Sequence, residues 1–199
     1  TTNESFFFRD IKPFDQFRDI VLPHMLKSRA QAKSIRIWSA ACSSGDEPYT
    51  LALILSDYAP LVNWNIEILA TDISEPILKL AKAGVYTAHA LRHVPPHLKT
   101  RHLNAQGEHF AISSTIKSRV KFMNLNLYDR PRLKLVRGID IVFCRNCLIY
   151  FDDKAKHQIV TDLAGALKPN GYLIIGFSES LTKMSDVLRP QHVGRSVVY

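Results

Sequence analysis

The sequence predicts an open, mostly parallel α/β sheet of the doubly wound, Rossmann-like kind, with helices on both faces and a small β insert. Two observations predict it: strand-like and helix-like runs alternate along the chain, and the first strand runs into a turn of small residues that opens a helix. The size fits one such domain. The chain has 199 residues, 46% of them hydrophobic, and a chain of this length buries roughly 70% of its unfolded surface, so neither disulfides nor a structural metal are needed for folding.

Each element has its own signal. Phe6, Phe7 and Phe8 form a triplet of the sort that anchors a chain end in the core, the alternative being a ring turned toward a cationic ligand. Residues 35–41 (I-R-I-W-S-A-A) are rich in β-formers, residues 42–45 make the small-residue turn, and Leu51, Ile54, Leu55 and Tyr58 follow at helical spacing. Residues 66–70 repeat the strand and Asp72 closes it. Ser74 then caps a helix that carries Pro76 in its first turn and ends near Gly84. The stretch 86–119 breaks the rhythm with Pro95 and Pro96 and then the short run Phe110-Ala111-Ile112, so it is read as the insert. Residues 140–144 are a third apolar strand, 152–167 a helix, 168–171 a turn and 171–177 a fourth strand. The tail, residues 194–199, is expected to close the sheet as a final antiparallel strand.

Several classes are excluded. A bilayer span needs roughly 20 apolar residues, and the runs 51–55 and 173–175 fall far short, so no membrane insertion is expected. Glu4, Arg9 and Asp10 around the phenylalanines are unlike a signal peptide, and the lack of an initiator Met suggests a fragment. Cys42, Cys144 and Cys147 are an odd number with no export signal, which points to the cytoplasm. Cys144-x-x-Cys147 lacks a second pair to complete a zinc site, and Pro95 and Pro96 interrupt any helix that would align His89, His93 and His97. Buried thiols and no metal are the expectation. The net charge of +8 is concentrated: residues 79–137 hold twelve Lys and Arg against two acids, Glu108 and Asp129. That segment is either a solvated face or a docking surface for an acidic partner.

The chemistry is expected beyond the carboxyl ends of the strands. Ser44 and Glu47 have capping-box spacing, so Glu47 either satisfies the helix start or points into the crevice to accept a hydrogen bond from a ligand. Asp46 and Glu47 in the first turn disfavour a phosphate, which a helix start ordinarily attracts. Asp72, ending the next strand, is either a turn cap or an acceptor for both hydroxyls of a ribose. Together these features point to an adenosine ligand without a pyrophosphate, and S-adenosylmethionine is the obvious candidate. Arg145 and Asn146 follow a buried strand and either tie loops together or face the same crevice, with Tyr150 on its rim.

Six blocks, residues 3–9 (N-E-S-F-F-F-R), 36–49 (R-I-W-S-A-A-C-S-S-G-D-E-P-Y), 70–72 (A-T-D), 122–127 (F-M-N-L-N-L), 142–151 (V-F-C-R-N-C-L-I-Y-F) and 171–179 (G-Y-L-I-I-G-F-S-E), together resemble the CheR-type chemotaxis receptor methyltransferases. The resemblance implies a class I S-adenosylmethionine-dependent methyltransferase fold, with residues 1–199 as the catalytic domain and 86–119 as a small β-subdomain within it. It implies transfer of a methyl group from S-adenosylmethionine to receptor glutamates, giving methyl esters and S-adenosylhomocysteine. It implies Asn3, Ser5, Arg9, Glu47, Asp72, Asn126, Leu127, Arg145 and Asn146 around the cofactor, with Arg9 and Tyr150 nearest the transferred methyl. The family usually has Thr at the Ser5 position and Glu at the Asp46 position, changes that keep the functional group, and it carries a helical domain ahead of the first block. The implied partner is the acidic, helical cytoplasmic region of chemoreceptors. The loop 104–108 looks short beside members that dock a receptor tether, which favours action without one.

The mechanism implied is spare. A carboxylate with a reference pKa near ~4.3 is already an anionic nucleophile at neutral pH, so no general base is needed. The rival readings are a regulatory module that binds S-adenosylmethionine without transfer, and a nucleic-acid methyltransferase. The latter is disfavoured, because aromatics do not interleave with the basic residues and no base-flipping motif is present.

Overall fold

The structure, a computed structural model, describes residues 5–181, 188–193 and 196–199. A helical segment opens it: α1 (Ile11–Gln16), a π-helical turn (Phe17–Val21) and α2 (Leu22–Ser28). Then follow β1 (Ser34–Ala40), α3 (Asp46–Asp57), β2 (Asn65–Asp72), α4 (Glu75–Ala83), β3 (Val85–Thr87), α5 (Pro96–His102), β4 (Leu103–Gln106), β5 (His109–Ile112) and α6 (Ser114–Lys117). The second half holds β6 (Val120–Asn124), α7 (Arg130–Leu133), β7 (Ile139–Cys144), α8 (Asp153–Ala166), β8 (Leu167–Ile175), β9 (Gln191–Val193) and β10 (Ser196–Val198). No helix among the described residues is long and apolar enough to cross a membrane.

Five strands form a parallel sheet in the order β6-β2-β1-β7-β8. The chain winds outward from β1 in one direction, then returns to lay β7 on the other side of β1. The loops after β1 and β7 therefore part and leave a crevice at the carboxyl ends, the topological switch point of a doubly wound sheet. Side chains alternate between two cores. Ile35, Ile37, Ile141, Phe143 and Ile174 face α3 and the amino-terminal helices, while Trp38, Ala40, Val142, Cys144 and Leu173 face α8. Burial on both faces is why these strands read as continuous apolar runs.

The amino-terminal segment is bound into the first core. Phe7 meets Tyr86 edge to face at 4.8 Å, and Phe14 and Phe17 pack on Phe143 at 6.1 and 5.3 Å. A fully buried Phe contributes roughly 1.5–3 kcal/mol, so this segment is part of the fold. At the opposite end of the sheet the buried Asp140 accepts from Arg29 Nε (2.7 Å), the Arg36 amide (2.8 Å) and Lys168 Nζ (3.0 Å). Those partners compensate its charge.

The expected β1, β2, β7 and α8 form within a residue or two of their sequence bounds, and α4 has its Ser74 cap and a left-handed Gly84 stop. Other details differ. The turn at 168–171 is an excursion inside β8, since Leu167 pairs with Ile139 and Tyr172 already with Ile141. The tail meets the sheet at its end: β10 pairs antiparallel with β9, and Tyr199 exchanges both backbone hydrogen bonds with Leu173 of the edge strand β8 (2.6 and 3.1 Å). Between α4 and β6 stands a three-stranded antiparallel sheet in the order β3-β5-β4. The supposed loop 104–108 is mostly β4, and only Gly107 and Glu108 turn the hairpin, with Gly107 at φ 60°.

Candidate active site

The turn after β1 is held from both sides. Gly45 sits at φ 91°, and a Cβ there would fall 2.9 Å from Tyr86 Oη and 3.0 Å from Ala81 Cβ. The Tyr86 hydroxyl donates to the Ser44 carbonyl (2.7 Å) and the Cys42 amide donates to Thr71 O (2.8 Å). The Asp72 carboxylate accepts from the Ser43 amide (2.8 Å) on one oxygen and from the Ser74 amide (2.9 Å) on the other. The turn-cap reading of Asp72 is thus realised, and the same side chain lines the crevice with acceptor capacity left on each oxygen.

The capping box does not form. Gly45 occupies the cap position without a side-chain bond, and Ser44 Oγ bonds the Asp46 carboxylate, which also holds the Ser5 side chain. Glu47 turns away from the helix start to accept from Ser39 Oγ (2.8 Å) and Arg145 Nη1 (3.2 Å). The Arg145 guanidinium is buried, donates to the Arg9 carbonyl (2.6 Å), lies 3.5 Å from Asp10 and stands over the Phe14 ring at 4.8 Å. It joins the β7 exit, the start of α3 and the amino-terminal segment.

These three segments and the β2 exit enclose a cavity of about 270 Å³. Ser5, Arg9, Glu47, Asp72, Arg145, Asn146 and Tyr150 all line it. Asn126 and Leu127 do not. Asn126 is exposed, with its side-chain oxygen accepting the Tyr128 amide (2.9 Å), and Leu127 packs into the second core. They follow β6, whose end is tied to the Asp72 carbonyl by the Leu125 amide (3.0 Å). Asn3 lies outside the described residues. The phenylalanine triplet divides: Phe7 and Phe8 are core, while Phe6 lines the cavity with the Arg92 guanidinium 3.9 Å and that of Arg9 5.9 Å from its ring centre.

Sequence reasoning missed Phe14, Cys42, Ile73, Ser74 and Phe151 as lining residues. One available signal was position, because each lies within a few residues of a strand exit or of Arg9. It also missed backbone strain. Phe8, Asp10, Ala41, Ser43 and Asn146 all have positive φ, a conformation that costs non-glycine residues of order 1–3 kcal/mol and gathers at functional sites. Cys42 and Cys144 are buried, and burial pushes both thiols up, Cys144 also through its hydrogen bond with Cys147. Among the described residues no group of three His, Cys, Asp or Glu side chains is placed to hold a metal.

A larger hollow of about 510 Å³ lies at the amino end of β2, beside Trp64, Arg101 and Arg119. Ligands of open α/β sheets bind at the other end, and the smaller cavity carries the polar groups in want of a partner. Among the described residues three buried side-chain polar atoms lack one, and two of them, Ser43 Oγ and Arg145 Nε, belong to residues lining it.

A strand order reversing at β1, an acid ending β2 and an acidic helix start in place of a phosphate cradle define a class I methyltransferase domain, whose cofactor is S-adenosylmethionine. A family profile described as "CheR methyltransferase, SAM binding domain" matches residues 3–196, and the chain belongs to that family. It is 39% identical over 186 residues to a "Chemotaxis protein methyltransferase" of Borreliella burgdorferi, covering 91% of this chain and 65% of that protein. It is 38% identical to "Chemotaxis protein methyltransferase 1" of Pseudomonas aeruginosa, covering 100% of this chain and 74% of the relative.

The electrostatics of Glu47 give a pH prediction. Burial pushes its carboxyl up, Arg145 and Ser39 oppose the shift, and nearby Glu179 adds to it. With a raised folded value, its linked stability is present below the ordinary glutamate value and lost as pH rises through the folded one. On acidification Glu47 therefore takes up its proton earlier than an ordinary glutamate and weakens its bond to Arg145. Affinity for S-adenosylhomocysteine is expected to fall on acidification from neutral pH, before the ordinary glutamate range is reached, and Glu47→Gln is expected to flatten that slope in calorimetric titrations. Asp46, whose carboxyl burial also raises, acts in the same direction.

Proposed function

We propose that this protein transfers the methyl group of S-adenosylmethionine to side-chain carboxylates of glutamates on chemotaxis receptors, forming glutamyl methyl esters and S-adenosylhomocysteine. The observation that carries the reading is one cavity lined by two acids suited to the cofactor, Glu47 and Asp72, and by Arg9 and the half-exposed Tyr150. In this reading Asp72 receives the ribose hydroxyls, and Ser5, Glu47, Arg145 and Asn146 hold the rest of the cofactor. When bound, S-adenosylmethionine supplies a methyl group on a sulfonium, which is an electrophile.

The remaining work is alignment. A glutamate carboxylate is anionic at neutral pH, so the enzyme has to hold its oxygen in line with the methyl carbon, an orientation effect rather than proton transfer. Arg9 on the attacking oxygen would stabilise charge that vanishes as the ester forms and so slow the step. Arg9 therefore orients a carboxylate away from that oxygen, while Tyr150 shapes the methyl pocket and donates one hydrogen bond. Arg9→Lys is expected to lower turnover by about ten-fold, because a point charge lacks the planar fork. Full turnover in that variant would refute the need for a fork.

The basic stretch 79–137 complements an acidic helical region on the cytoplasmic side of the receptor. The two-residue turn at Gly107 and Glu108 supports action without a tethering peptide, and an affinity for the receptor tail equal to that for the whole receptor would overturn this point. The test of the function is transfer from S-adenosylmethionine labelled in its methyl group, with receptor-bearing membranes and nucleic acid offered together. Base-labile label on receptor protein is expected. Label on nucleic acid would replace this reading with its rival.

A further inference from the structure

Glu179 does not line the cavity, yet its carboxylate collects five backbone donors. One oxygen accepts the amides of Cys147 (3.0 Å), Leu148 (2.7 Å) and Ile149 (3.3 Å), and the other those of Asn146 (2.9 Å) and Gly176 (2.7 Å). Four of these donors are consecutive and run from the exit of β7 into the 3-10 turn Leu148–Tyr150. Successive amides aimed at one point make an anion-binding concavity, and here the chain supplies the anion itself. The approach depends on the absence of a side chain at residue 176, where a Cβ would lie 2.7 Å from the Glu179 carboxylate and 3.0 Å from the Asn146 amide.

The same loop presents Asn146, Cys147 and Tyr150 to the cavity and begins with Arg145. Its backbone is irregular and short of its own hydrogen bonds: Asn146 is left-handed at φ 56°, and the 3-10 turn is a single one. We propose that Glu179 is a positioning residue for the cofactor site, holding Asn146 and Tyr150 in place through the loop backbone without itself touching cofactor or substrate. The proposal rests on the cofactor reading of the cavity and extends it to a residue outside the cavity. Glutamine at 179 keeps the size but offers one acceptor oxygen in place of two, so part of the donor set would face an amide NH₂. The hydrophobic cores are untouched by that change.

The experiment measures S-adenosylhomocysteine affinity by calorimetry, with melting curves, on the full chain, Glu179→Gln and Glu179→Ala. Glu179→Gln is expected to bind about ten-fold more weakly and to melt lower than wild type but higher than Glu179→Ala, since part of the donor set loses its charged acceptor while the cores stay packed. Glu179→Ala is expected to bind more weakly still and to regain affinity as sodium acetate, but not sodium chloride, fills the vacated concavity. Wild-type affinity in both variants overturns the proposal while the cofactor reading stands. Loss in Glu179→Ala that acetate does not restore, with an unaffected Glu179→Gln, marks a merely structural side chain and also overturns it. An intact chain that does not bind overturns the cofactor reading and the proposal with it. Should Glu179→Ala fail to fold, the glutamine variant decides alone.

Discussion

Replacing Arg145 with alanine is expected to destabilise the protein by about 3–5 kcal/mol, the cost of leaving a buried carboxylate without its partner. Glu47 would keep only the Ser39 hydroxyl, and the Arg9 carbonyl would lose its donor. In a domain of this size that loss lowers the melting temperature by roughly 10 °C, measurable by circular dichroism. Arg145→Lys keeps a charge but cannot serve Glu47 and the Arg9 carbonyl together, and should fall between wild type and alanine. A double variant, Arg145→Met with Glu47→Gln, removes both charges and should recover part of the stability without recovering cofactor binding. Arg145→Ala melting with wild type would mean that the guanidinium does not join the three segments.

Asp72→Ala is expected to weaken S-adenosylhomocysteine by about a hundred-fold or more, because two hydrogen bonds from ligand hydroxyls to a charged acceptor are lost together. Since the same carboxylate holds the Ser43 and Ser74 amides, the alanine variant also loosens the turn. Asp72→Asn divides the two effects in part. It keeps the side-chain volume and one of the two backbone ties, so its melting curve should fall between wild type and alanine while affinity still falls by about ten-fold or more. Undiminished affinity in both variants would remove Asp72 from the ligand.

The central strands were legible because β7 is apolar at every position but Asp140, and β1 and β2 each carry a majority of apolar and β-branched residues. β6 was not. It contains Lys121 and Asn124, and its strand character comes from pairing with β2, which no local pattern reports. β3 and β4 are three and four residues long, and β4 is mostly polar and exposed, so neither carried a local strand signal. Within the site, Asp72 was legible as an acid ending a strand, but the partner of Glu47 was not: its spacing to Ser44 imitates a cap, and its bond to Arg145 spans 98 residues. Ser5 and Arg9 came from block resemblance rather than from chemistry. Phe6 shows the limit of composition, since three identical neighbouring residues divide between core and cavity.

The hydrogen bond from Arg145 to the Arg9 carbonyl joins residues 136 apart, and that separation bears on the order of assembly. Contacts between distant residues carry the largest loop-closure entropy, and they form after the local β-α units have supplied a surface to close on. The wall made by Ser5 to Asp10 is thus the last part of the crevice to be set and the first to leave on partial opening. Amide exchange at Phe7 and Phe8, which donate to Ala90 O and Thr50 Oγ1, should outpace that of β1 and β7, and ligand should slow it most there. Folding intermediates that possess the sheet but lack this wall would have no finished crevice, so cofactor stabilises the completed chain in preference to its precursors.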